Sequence, residues 1–211
     1  MVNHDRLIAD SEAFIFELDD VFYPEQDYLL QVYYLFANFL EYTETHPEAA
    51  QLTAFLKEHY LSRGTKDLFA AAAERFGIDS KYEDNFNRLH VSAQPPLLLY
   101  FYPELLRFLK ECTAAKKRLF LLTRGNPLVQ LNKLKYIDWQ GIDKEIKVYF
   151  YDEIKLLTRL EPLEYILQEN QLAPEAALFV GKSEMDRAMA TDSGVRYLDA
   201  TELRLNNEIT D

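Results

Sequence analysis

The chain has 211 residues, 48% hydrophobic and 27% charged, enough for one full α/β domain or a core with a modest insertion. Its formal charge of −12 leaves no basic surplus to neutralise phosphates, which argues against nucleic acid and anionic membrane surfaces as partners. No apolar run approaches the ~18 residues a spanning helix needs, and the polar start MVNHDRLIADSE reads as neither signal nor transit peptide, so a cytoplasmic protein is expected.

In chain order, AFIF (13–16) is a short apolar strand that ends in the carboxylates Glu17, Asp19 and Asp20. Residues 27–92 then read as consecutive helices. Leu29, Val32, Tyr33, Phe36, Phe39 and Leu40 have the three-and-four spacing of one buried face. Thr45-His46-Pro47-Glu48 predicts a side-chain cap and the start of a second helix reaching about Tyr60. TKDLFAAAAERFG predicts a third, stopped by Gly77, and KYEDNFNRLHVS a fourth before Pro95-Pro96.

From Pro96 the rhythm alternates. An extended approach leads into a helix, then come strand RLFLLT, helix 127–135, strand IKVYFY, helix EPLEYILQENQ, strand ALFV, helix MDRAMATDSG and strand VRYLDA. Short apolar strands separated by helices predict a doubly wound parallel sheet covered on both faces. Ligands of such sheets sit beyond the carboxyl ends of the strands. The segments to inspect are therefore ELDD, TRGN, DEIK and GKSEMD.

These four strand ends, in this order, resemble the motifs of the haloacid dehalogenase superfamily of phosphatases and related hydrolases, over nearly the whole chain. FELDD resembles the first motif, Asp-x-Asp at a strand end; LLTRGNP resembles the second; Lys155 to Pro162 takes the place of the third; VGKSEMD resembles the fourth. The resemblance implies a Rossmann-like core from 1–24 and 96–211, with a helical cap domain inserted at 25–95. It implies a Mg²⁺-dependent hydrolase of small phosphorylated metabolites. A carboxylate attacks phosphorus, an acid two residues on handles the proton, and a hydroxyl with backbone N–H groups holds the phosphoryl oxygens. By position, Glu17 is the nucleophile and Asp19 the general acid. Thr123, Arg124 and Gly125 hold phosphate, Lys155 is a catalytic cation, and Asp19 and Asp186 are the metal-side acids.

The sequence departs from the pattern at Glu17, Glu161 and Lys182. Glu17 stands where the family has Asp, and its extra methylene moves the carboxylate by roughly a bond length, a shift of ~1 Å that can cost ~100-fold in rate. Lys182 replaces a metal-side Asp. Its ammonium has no lone pair to give a metal, would repel a divalent ion, and could sit beside Asp19 and Asp186 as a tethered cation. The third position is filled either by Lys155, by distance from its strand, or by Glu161, by its following proline; in the second case Lys182 and Glu161 could pair across the site. Two functions follow: a hydrolase with weak or lost turnover, or a pseudoenzyme that binds a phosphorylated ligand or a protein partner. Cys112, the single cysteine, reads as a small core residue. Tyr33 and Tyr34 are the candidate site-facing residues of the insertion, and the four histidines are expected at surfaces or caps.

Overall fold

The computed structural model describes residues 3–204, which divide into two compact units, one of residues 3–24, 100–130 and 137–204, the other of 25–99 and 131–136. In chain order the helices are α1 (His4–Ala9), α2 (Glu25–Glu44), α3 (Ala49–Arg63), α4 (Leu68–Phe76), α5 (Glu83–Ser92), α6 (Pro103–Ala114), α7 (Pro127–Lys135), α8 (Tyr151–Leu157), α9 (Pro162–Glu169), α10 (Glu184–Asp192) and α11 (Ala200–Arg204). The strands are β1 (Ala13–Phe16), β2 (Arg118–Thr123), β3 (Ile146–Phe150), β4 (Ala177–Gly181) and β5 (Arg196–Asp199).

The first unit is the parallel α/β sheet the alternation predicts, in the order β3-β2-β1-β4-β5. All four residues of β1 are buried because the strand lies centrally and is covered on both faces. On one face Ala13, Ile15, Phe120, Leu122 and Phe179 pack with Leu163, Ile166 and Leu167 of α9 and Ala190 of α10. On the other, Phe14 and Phe16 meet Phe108 of α6, the Phe14 contact edge-to-face at 5.2 Å. Adjacent β1 residues therefore serve opposite cores, the period-two consequence of the pleat. Cys112 of α6 is fully buried, and burial pushes its thiol up to about 12, which removes it as a nucleophile. The chain order reverses across β1, with β2 on one side and β4 on the other, so the end of β1 is the sheet's switch point.

The second unit is helical. Tyr28, Leu29, Val32, Tyr33, Phe36, Ala37 and Leu40 form the buried stripe of α2. Tyr33 stacks at 6.0 Å on Phe86 and meets Tyr60 and His90, so it belongs to this unit's own core and is not a site-facing residue, while Tyr34 is exposed. The predicted cap at Thr45 is also corrected. Thr45 adopts φ 60°, and α3 starts only at Ala49, whose N–H donates to the Glu41 carboxylate at 3.0 Å rather than to a Thr45 hydroxyl. Gly77 does end α4 in the left-handed conformation. His59 is buried rather than superficial, its Nε2 lying 3.0 Å from the Lys66 carbonyl.

Candidate active site

Glu17 is the first residue past β1, yet its N–H still donates to the Val180 carbonyl at 3.0 Å, so the β4 neighbour fixes its backbone. Its side chain is 8% exposed. The following loop turns back at once. Phe22 N–H donates to the Leu18 carbonyl at 2.9 Å, and Asp20 takes φ 60°, a left-handed conformation that aspartate tolerates. That turn brings the Tyr23 hydroxyl to Asp19 Oδ1 at 3.1 Å. Gln130 of α7 reaches Asp19 Oδ2 at 3.4 Å and anchors on the Arg124 carbonyl at 2.8 Å.

The segment after β2 supplies three donors, and each ends on a carboxyl group of the chain itself. The fully buried Thr123 hydroxyl lies 3.5 Å from Glu17 Oε1, and the Arg124 N–H lies 3.4 Å from the same oxygen. The Gly125 N–H donates to Asp152 Oδ2 at 2.7 Å. Gly125 has φ 107°, which a side chain would oppose, and a Cβ there would come within 3.1 Å of Gln130. Asp152 lies in the first turn of α8, a helix absent from the sequence-level prediction because YDEIK follows its strand without a turn signal.

The segment after β4 positions Asp186. Ser183 and Asp186 form a reciprocal capping box at the start of α10. Asp186 Oδ2 accepts from the N–H groups of Lys182 at 3.1 Å and Ser183 at 2.9 Å; Oδ1 accepts from the Arg124 guanidinium at 3.0 Å. Gly181 is required by contact, since a Cβ on it would lie 2.6 Å from Asp186 Cβ. Gly181→Ala is accordingly expected to push Asp186 off its partners and destabilise the fold by about 1–3 kcal/mol, read as a lowered urea midpoint.

Two expectations are corrected. The Lys182 ammonium does not sit on Asp19 or Asp186; it pairs with Asp20 at 3.1 Å, both side chains well exposed. Nor does it pair with Glu161, which binds Lys155 at 2.6 Å in another exposed ion pair. Neither Lys155 nor Glu161 contacts Glu17, Asp19 or Asp186, so the third motif brings no cation to them. A cation does reach Asp186: the Arg124 guanidinium, 3.0 Å from its Oδ1, with the Tyr151 ring 5.1 Å away. Sequence reasoning placed Arg124 here only as a phosphate holder, and passed over Tyr23, Gln130 and Asp152. The only sequence signal for Asp152 is its place in the segment following β3.

Burial raises the Glu17 carboxyl to about 8, assisted by the nearby charges of Asp19 and Asp186 and opposed by Arg124. At neutral pH it is largely protonated. Glu17 Oε2, Arg124 Nε and Gln130 Oε1 are all buried without a hydrogen-bond partner.

A magnesium ion does not fit this donor set. A hard divalent cation needs available carboxylate oxygens in near-octahedral array. Both Asp186 oxygens are engaged by N–H donors, one of them cationic, and Lys182 replaces the further acid. Among the described residues no group of three or more His, Cys, Asp or Glu side chains is arranged to hold a metal ion. No helix among them is long and apolar enough to cross a membrane.

No protein-family model and no curated protein matches the sequence. Solved structures do match. A hydrolase from Streptococcus pneumoniae superposes with a TM-score of 0.54 at 15% identity, over 95% of this chain and 100% of that one. A haloacid dehalogenase-like family hydrolase from Xanthomonas campestris gives 0.52 at 16%, over 89% and 80%. A defluorinating L-2-haloacid dehalogenase gives 0.54 at 16%, also over 89% and 80%. The parallel five-stranded sheet and these superpositions together make this chain a protein of the haloacid dehalogenase-like hydrolase fold.

Proposed function

We propose that this protein is a pseudoenzyme of the hydrolase fold, one that acts by binding a partner rather than by turning over phosphate monoesters. The observation that carries this reading is the seat of Glu17. Its longer side chain places a carboxyl oxygen against the Thr123 hydroxyl and the Arg124 N–H, two of the groups that the resemblance assigns to a phosphoryl group. Asp152 takes the third, the Gly125 N–H. A phosphorylated ligand would have to displace two of the chain's own carboxyls and enter beside Asp19 and Asp186. Like charges at such separations repel by several kcal/mol in a partly buried site, ~4 kcal/mol at 4 Å for an effective dielectric of about 20. This disfavours a phosphorylated metabolite as the ligand.

A weak hydrolase is the second reading, favoured by the retained Asp19, which Tyr23 and Gln130 hold in the general-acid position. The two are separated by assaying a panel of phosphate monoesters with and without Mg²⁺. The pseudoenzyme is expected to show no turnover above background in either condition. Turnover is expected to return only when Glu17→Asp, Arg124→Ser and Lys182→Asp are combined. Rapid Mg²⁺-dependent hydrolysis by the unmodified chain would refute the proposal, and slow turnover abolished by Asp19→Asn would establish the second reading.

A further inference from the structure

Lys182 is the substitution that draws the eye in the sequence, yet its ammonium lies on the exposed Asp20. A positive charge that engages Asp186 comes from another strand end. Arg124 directly follows β2, its guanidinium is bonded to Asp186 Oδ1 at 3.0 Å, and its side chain is 27% exposed. Asp186 cannot easily turn away, because its second oxygen is fixed by two backbone N–H groups and its Cβ sits against Gly181. The Arg124 backbone is held in place, its carbonyl accepting from Gln130 and its N–H facing Glu17, and the Tyr151 ring lies 5.1 Å from the guanidinium.

We propose that the Arg124 guanidinium, clamped to Asp186, is the resident cation of the strand-end site and replaces the divalent ion there. A guanidinium keeps its charge at every physiological pH, and being covalently tethered it neither dissociates nor yields to a chelator. Its fork of donors also suits carboxylate oxygens, which a lysine at position 182 serves only as a point charge. The folded chain therefore neither needs nor takes up Mg²⁺ at this site.

The test is a calorimetric titration of the full chain with Mg²⁺, paired with thermal unfolding in Mg²⁺ and in chelator. The unmodified chain is expected to give no saturable heat and no shift in Tm. Arg124→Gln, checked by circular dichroism, is expected to gain the saturable Mg²⁺ heat and Tm increase that the parent lacks, since a like charge beside Asp186 is removed. Asp186→Asn in that background removes the gain, and Arg124→Lys stays as metal-free as the parent. Saturable Mg²⁺ binding by the unmodified chain that Asp186→Asn abolishes would overturn the inference, as would a folded Arg124→Gln with no gain. No substrate enters the measurement, so it fails separately from the proposed function: metal-free hydrolysis would refute only the latter, and Mg²⁺ binding without turnover only the former.

Discussion

Glu17→Gln is expected to make the protein more stable than the parent above pH ~8, with the difference shrinking as pH falls towards ~5. The Glu17 carboxyl is raised from 4.5 to about 8 in the fold, chiefly by burial. Between those two values the folded chain holds a proton that the unfolded chain has released. Stability then falls as pH rises, by up to ~1.4 kcal/mol per pH unit from this one group. Its contribution is fully present below the unfolded value and is lost once pH passes the folded value, a change on the order of 5 kcal/mol across the window. Glutamine has nearly the same shape and does not titrate. Urea unfolding followed across the range reads the result directly: the parent's alkaline decline should flatten in the variant. Parallel profiles for the two proteins would mean that Glu17 ionises normally, and would restore a charged carboxylate to the site.

The second large effect is expected at Asp186. This residue is buried, and its side chain joins Arg124, two backbone N–H groups and the capping box of α10. Asp186→Ala orphans all of these at once. Breaking a buried ion pair from one side costs ~3–5 kcal/mol, and the partial exposure of Arg124, which lets water reach it, places the expectation near ~3 kcal/mol. Lys182→Ala provides the contrast. Its pair with Asp20 is exposed on both sides, so the loss should stay below ~1 kcal/mol. Urea midpoints of the two variants test the ranking. A costly Lys182→Ala and a mild Asp186→Ala would reverse the assignment of the site's cation from Arg124 back to Lys182.

The sheet was legible because its information is local. FIF, LFLLT, VYF and LFVG are short apolar runs, each followed in the chain by a helix, and burial on both sides of a parallel sheet demands that pattern. The same logic found the stripe of α2 and the stop at Gly77. It failed at Thr45, where a capping pattern is present but the chain turns through φ 60° before the helix begins. It failed also at α8, whose seven residues follow β3 without a break.

By itself the sequence determined the parallel α/β architecture and which side chains stand at the strand ends, including the misfit of Glu17 and Lys182 with the pattern they resemble. Only the tertiary structure decided how those side chains pair. A lysine at 182 reads as the obvious substitute for a metal, but the ammonium finds Asp20 while Arg124, 62 residues away in sequence from Asp186, reaches across β1 to the buried acid. Strand composition is dictated by burial, which acts on each segment in place. Charge pairing depends on distances of a few ångströms between segments remote in sequence, and those are set only when the sheet has brought the strand ends together.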